Sequence, residues 1–204
     1  MAPKFIYFDL GKVLLDFSFE QMCRQVGEAA GIGPDQVAAV FAGGMQAEYE
    51  TGNLDSRAFY ERFCRESGMR PNFDAFFQAF NDIFTPIVSM WPVVAQLYDA
   101  GYRLGILSNT CEGHWRHCLK RYGLLRDFFS VYALSYQIGA MKPSAAIFCK
   151  AAEMAGCRPE EVFYTDDIAG HVAGGRSAGL DAVVYESTTQ LVAEMRSRSV
   201  AFNY

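Results

Sequence analysis

Nowhere in its 204 residues does this chain gather more than a few lysines or arginines, and its formal charge of −5 offers no track for a polyphosphate backbone. Nucleic acid is therefore not expected as a partner. No apolar run reaches the roughly 20 residues that span a bilayer, and Met1-Ala2-Pro3-Lys4 leads into Phe5-Ile6-Tyr7-Phe8-Asp9 too abruptly for a secretory signal. The expectation is a protein with no membrane contact and a cytoplasmic address. C-x-x-C pairs are missing among Cys23, Cys64, Cys111, Cys118, Cys149 and Cys157, so these read as reduced core thiols rather than a disulfide framework. There is no internal repeat and no low-complexity tract. What is present is 51% hydrophobic and 20% charged, the balance of a folded globule with one core and room for one insertion. Composition selects neither a monomer nor a homodimer.

Short apolar runs stand at residues 5–8, 104–107, 131–134, 162–164 and 182–185. Continuous apolar character predicts strands buried on both faces, as in a parallel sheet. Helix-like segments at 92–100, 111–122, 144–155, 168–178 and 188–198 have crossover length, which predicts an α/β fold, a Rossmann-like parallel sheet sandwiched by helices. The spacing breaks between the first two strands. Residues 17–89 carry no convincing strand and read as helices at 19–30, 34–42, 56–67 and 72–84, punctuated by Gly31, Gly43-Gly44, Gly52-Asn53 and Arg70-Pro71. The expected division is a core of residues 1–16 and 90–204 and an inserted α-helical cap domain of residues 17–89. Phe59, Phe63, Phe73, Phe76, Phe77 and Phe80 recur at helical spacing, the pattern of a bundle core.

Ligands of open parallel sheets bind beyond the carboxyl ends of the strands. Those ends supply Asp9, Ser108-Asn109-Thr110 and Asp166-Asp167, and Lys142-Pro143 opens the helix after the third strand. Capping of turns and helices accounts for each group taken alone. Two adjacent carboxylates at the end of a buried strand repel each other unless a cation or a proton intervenes, and with Asp9 nearby a hard ion such as Mg²⁺ is the natural partner. A lysine at a helix start opposes the helix dipole and is better explained by a bound anion. Together these groups describe a site that handles phosphate.

In order along the chain, Phe8-Asp9-Leu10-Gly11-Lys12-Val13-Leu14, Leu107-Ser108-Asn109-Thr110, Met141-Lys142-Pro143 and Tyr164-Thr165-Asp166-Asp167 resemble the four motifs of the haloacid dehalogenase superfamily. The resemblance implies that Asp9 is the nucleophile that forms an aspartyl phosphate. It implies Mg²⁺ held by Asp9, the Gly11 carbonyl and Asp167, with Asp166 direct or through water. Ser108, Asn109 and Lys142 would bind the phosphoryl oxygens. Gly11 departs from the family's usual Asp-x-Asp, whose second carboxylate is the general acid and base, a role typically worth about 10²–10⁴ in rate.

Three readings follow from that departure. An Asp-Leu-Gly start is similar to a branch of sugar-1-phosphate phosphatases, whose anomeric leaving group is more acidic than an alcohol, so the expected substrate is a small phosphorylated metabolite such as a sugar phosphate. A cap side chain or water would then supply the proton, with Glu48, Tyr49 and Glu50 in reach only if their turn faces the site. A metal-free 2-haloacid dehalogenase is the second reading, disfavoured by the paired Asp166 and Asp167. A non-catalytic phosphate-binding or regulatory module is the third, on the strength of Gly11, Lys12, Ile168 and His171. If Gly11 is the rate-limiting defect, Gly11→Asp is expected to speed turnover of alkyl phosphates; an unchanged or lower rate would mean that the proton comes from elsewhere or that the added carboxylate disturbs the site. Lys12 is expected in solvent, His114 and His117 on an exposed helix face, and His171 at the border of the site. Gly174-Gly175-Arg176-Ser177-Ala178-Gly179 reads as close packing and a helix stop.

Overall fold

The computed structural model describes residues 2–203. In chain order the elements are β1 (Phe5–Phe8), β2 (Leu15–Phe17), α1 (Phe19–Ala30), α2 (Pro34–Ala42), α3 (Met45–Glu50), α4 (Ser56–Ser67), α5 (Phe73–Asn81), β3 (Phe84–Pro86), α6 (Met90–Asp99) and β4 (Arg103–Ser108). They continue with α7 (Glu112–Arg121), α8 (Leu124–Asp127), β5 (Val131–Leu134), α9 (Ser135–Ile138), α10 (Ala145–Ala155), β6 (Val162–Asp166), α11 (Ala169–Ser177), β7 (Asp181–Val184) and α12 (Thr188–Ser197). The five apolar runs are the five strands of one parallel sheet, ordered β5-β4-β1-β6-β7.

Every residue of β1 is fully buried, because β1 pairs with β4 on one edge and β6 on the other and is covered on both faces. Side chains alternate across a strand, and the alternation sorts the core into two layers. Ile6 and Phe8 pack on one face with Val93, Leu97, Cys118 and Leu191 from α6, α7 and α12, while Phe5 and Tyr7 pack on the other with Ile147, Phe148 and Val172 from α10 and α11. The first layer runs on without a break into the helical insertion through Met22, Phe59 and Phe80. There Phe59, Phe63, Phe76 and Phe80 are core as expected, with Phe63 and Phe76 rings 4.7 Å apart and Phe59 and Phe80 5.0 Å apart, while Phe73 and Phe77 pack half-buried against them.

Local chemistry explains the helix ends. Ser18, Asp55, Asn72 and Ser187 accept hydrogen bonds from backbone N–H groups in the first turns of α1, α4, α5 and α12, and Gly31 and Gly68 close α1 and α4 in the left-handed region.

Two expectations need correction. Residues 17–89 do contain a strand: β3 pairs antiparallel with β2, Phe17 opposite Phe84 and Leu15 opposite Pro86, so the insertion begins and ends on a two-stranded ladder. Three residues ending in proline are too short to show a period. For the same reason the last expected helix of the insertion stops at Asn81 rather than 84. The short helix α3, between Gly44 and Thr51, has no periodic signal in the sequence. All six cysteines are free; Cys23, Cys64, Cys111 and Cys118 are buried, whereas Cys149 is exposed. No helix among the described residues is long and apolar enough to cross a membrane.

Candidate active site

Asp9, Ser108 and Asp166 converge because β1, β4 and β6 are neighbours that end together. Asp9 leaves the ladder with its N–H donating to Thr165 O at 3.0 Å, and its Oδ1 accepts from Leu10 N at 2.7 Å. The fully buried Lys142 ammonium sits between carboxylates, 3.0 Å from Asp9 Oδ1 and 2.6 Å from Asp166 Oδ2, and donates to Leu107 O at 3.0 Å. Asn109 holds the lysine backbone from both sides: its Nδ2 donates to Lys142 O at 3.0 Å and its Oδ1 accepts from Lys142 N at 2.8 Å. That clamp was not legible in the sequence, which suggested only a phosphate contact for Asn109. Gly174 contributes from α11, where an added Cβ would lie 2.7 Å from Pro143 O, so only glycine lets the helix approach the lysine loop.

The two aspartates of β6 have different surroundings. Asp166 is fully buried and saturated: Lys142 and the Tyr164 hydroxyl donate to it, Ile168 N donates at 2.8 Å, and His171 Nδ1 lies 3.1 Å from Oδ1. Burial works to raise its pKa, but the hydrogen bonds from His171, Lys142 and Tyr164 and the lysine charge prevail and hold it well below the usual carboxylate range. Asp9 has no such set of donors. Burial pushes its pKa up to about 6, against the pull of Lys142 and with a further push from Asp166. Asp167 is half-buried, and burial and the Asp166 charge push its pKa up.

Asp9, Asp166 and Asp167 offer oxygens that all lie within 4.8 Å of one another. Three carboxylates face one ammonium, and the donor set is all oxygen, so the residues fit a hard divalent cation. Since four donors already occupy Asp166, the direct ligands this arrangement best supplies are Asp9 and Asp167.

Ser108 and His171 both border the cavity that holds Asp9, Lys142 and Asp167. Lys12 also borders this cavity, but its charge is committed outside it. Its ammonium bonds to Asp16 and to Phe17 O and lies 5.1 Å from the centre of the Phe17 ring, at a half-exposed position. His114 is not on an exposed face. Buried at the α5–α7 contact, it stacks on Phe80 at 4.4 Å, and burial brings its pKa down to about 4, which makes it a neutral core residue. The spacing of Cys111, His114, Trp115 and Cys118, all buried, is the helical signal that would have placed it inside.

The insertion completes the rim. A cavity of about 110 Å³ opens from Gly11, Ser108 and Asn109 toward Phe17, Phe19, Met22, Gln46, Glu50, Ile83 and Phe84. Of the three residues before the Gly52 turn, Glu48 points away and pairs with Arg62 at 2.7 Å, Tyr49 is buried against Phe59, and Glu50 lines the cavity. An added Cβ on Gly11 would lie 2.8 Å from Phe17 Cε1, in a ring that packs against Phe84.

A family model described as haloacid dehalogenase-like hydrolase matches residues 4–179. A glyceraldehyde 3-phosphate phosphatase of Methanopyrus kandleri is 32% identical over 100 residues, 48% of this chain and 42% of that protein. A pyrimidine 5′-nucleotidase of Escherichia coli is 32% identical over 147 residues, 67% of this chain and 63% of that protein. The chain thus spans less than half the length of the first relative and under two thirds of the second. In shape, a HAD family enzyme of Bacteroides thetaiotaomicron, crystallised with magnesium and inorganic phosphate, matches with a TM-score of 0.81 at 22% identity, over 91% of this chain and 95% of that one. The L-2-haloacid dehalogenase of Xanthobacter autotrophicus has the same fold, with a TM-score of 0.65 at 21% identity over 98% and 85%. Fold likeness therefore leaves more than one chemistry open, and the side chains have to choose between them.

Proposed function

Because this chain belongs to the haloacid dehalogenase-like hydrolases, we propose that it is a Mg²⁺-dependent phosphomonoester hydrolase in which Asp9 attacks phosphorus. The observation that carries this reading is the charge count at the strand ends: Asp9, Asp166 and Asp167 against Lys142 alone. Displacement of halide from a haloacid would bring one more carboxylate to that rim, whereas a divalent cation balances it and leaves room for a phosphoryl group. Asp9, the Gly11 carbonyl and Asp167 would hold Mg²⁺, with Asp166 acting only through water. When bound, the ion supplies positive charge to the phosphoryl oxygens.

The chain's own groups do the rest. Lys142 keeps one Asp9 oxygen oriented and brings its charge to the phosphate, Ser108 and the Asn109 backbone take phosphoryl oxygens, and Asp166 with His171 and Tyr164 fixes Lys142 in place. Residues 17–89 act as a cap over a core of residues 1–16 and 90–204, keeping water out and selecting the substrate. Aromatic walls with a few polar groups suit a small phosphorylated metabolite such as a sugar phosphate. A Mg²⁺-dependent screen of phosphorylated metabolites tests the reading; halide release from a haloacid without metal would replace it with the dehalogenase, and no turnover of any ester would favour a binding module.

Metal and proton compete for Asp9. With its pKa near 6, the carboxyl is mostly ionised at pH 7.5 and about one-tenth ionised at pH 5. Mg²⁺ at about 100 times its Kd should raise Tm by roughly 5–10 °C at pH 7.5. At pH 5 the rise should be about half as large. Thermal melts with and without Mg²⁺ at the two pH values check this, and equal shifts would remove Asp9 from the ligand set.

The expectation for Gly11→Asp changes as well. The Phe17 ring occupies the space of the new Cβ, so the single variant should be slower and less stable than the native protein. The double variant Gly11→Asp, Phe17→Ala makes room for the carboxylate: if no other group supplies the proton, it should turn over alkyl phosphates roughly tenfold or more faster than Phe17→Ala alone, since a general acid typically contributes about 10²–10⁴, and an equal rate would mean that the proton already comes from elsewhere. Steady-state kinetics on the four proteins read the effect.

A further inference from the structure

We propose that Glu50, projecting from the insertion, is the proton donor and acceptor that the first motif lacks. The inference rests on the phosphatase reading and names the residue that completes it. Position is the first argument. Glu50 shares one cavity with Asp9, Lys142, Ser108 and Asp167, and a second with Gly11, whose missing side chain it would replace. Its neighbours in sequence are committed elsewhere, Glu48 to Arg62 and Tyr49 to Ser56 and Gly113.

Rigidity is the second argument. Ser135 Oγ donates to the Glu50 carbonyl at 2.6 Å and accepts from Thr110 N at 2.9 Å, so one hydroxyl ties the end of α3 to the loop that carries Ser108 and Asn109. At Gly52 an added Cβ would fall 2.2 Å from Tyr136 O, and only this close approach brings the turn down onto the core. Ser56 adds a bond to Glu112 at 2.9 Å. The end of α3 that carries Glu50 is thus held against the core by the fold itself.

Chemical state is the third. Among the described residues Gln46 alone donates to the Glu50 side chain, at 3.2 Å on Oε1, and no cation pairs with it. Burial raises its pKa, which favours a protonated carboxyl ready to donate. In the first half-reaction an Asp9 oxygen forms the bond to phosphorus, the bond from phosphorus to the ester oxygen breaks, and the Glu50 proton passes to that oxygen, releasing the alcohol. In the second, Glu50 carboxylate takes a proton from water as the water oxygen bonds to phosphorus. Asp9 leaves as carboxylate, phosphate is released, and Glu50 is protonated again.

The test compares kcat/KM for an alkyl monophosphate and for p-nitrophenyl phosphate, whose leaving group needs no proton; this parameter reports the steps through departure of that group. Glu50→Gln should lose about 10²–10³ on the alkyl ester and less than about tenfold on the aryl ester, with partial recovery in Glu50→Asp. Glu48→Gln should match the native protein on both. Equal losses on the two esters, or none on either, would overturn the assignment, and melting curves of the variants keep misfolding apart from chemistry. If the native protein itself cleaves neither ester, the phosphatase reading falls and this proposal falls with it.

Discussion

Replacing Asp9 with asparagine should lower phosphatase turnover by about four orders of magnitude or more, without unfolding the protein. Asparagine keeps the shape and can still accept from Leu10 N, but its amide cannot attack phosphorus. Stability should move the other way. Burial makes the ionised Asp9 unfavourable and sets its pKa near 6, so the stability that its protonation brings is complete below the unfolded value of about 4 and lost as pH rises through 6. A neutral isostere avoids that loss. Without metal at pH 7.5, Asp9→Asn should therefore melt at or above the native temperature, while losing most of the rise that Mg²⁺ gives. Turnover within a hundredfold of native would move the nucleophile elsewhere.

The second large effect is on Lys142. In Lys142→Met the side chain keeps its bulk but leaves Asp9 and Asp166 facing each other with no ammonium between them. Breaking a buried pair by removing one partner typically costs about 3–5 kcal/mol, which for a chain of this size is a fall in Tm of about 10 °C or more. Both carboxylates would then titrate higher, so their protonation restores stability as the pH falls; the gap to native should narrow from pH 7.5 to pH 5. Activity should fall by about 10²–10³ from lost charge stabilisation alone. An unchanged Tm at pH 7.5 would show that the lysine does not hold the two carboxylates together.

These effects fall on residues that the sequence itself brings forward. The run at 5–8 is apolar at every position, which only a strand covered on both faces requires, and its end puts Asp9 at the rim. The same logic places Ser108 and the Asp166-Asp167 pair. What escaped the sequence depends on contacts between distant segments. No periodicity reveals that the Asn109 amide grips the backbone of Lys142, or that the ring of Phe17 folds back over Gly11. Glu48 and Glu50 are two apart, close to opposite sides of a helical turn; which of them faces the site is decided by where Tyr49 and Met45 bury, and that is set by packing on α4 and α7. The three-residue strands β2 and β3 pair only because the chain leaves the sheet and returns beside itself.

The contact between Gly11 and Phe17 also constrains how the sequence can change. A carboxylate at position 11 meets the ring; a smaller residue at 17 gives up the contact with Phe84 and gains no acid. Each single step is expected to cost stability or rate, and an Asp-x-Asp motif is best accommodated when both change together. A carboxylate at position 11 is therefore not one mutation away: the pair acts as a ratchet, and the proton transfer of this site is more readily tuned at Glu50 and its neighbours than by restoring that residue.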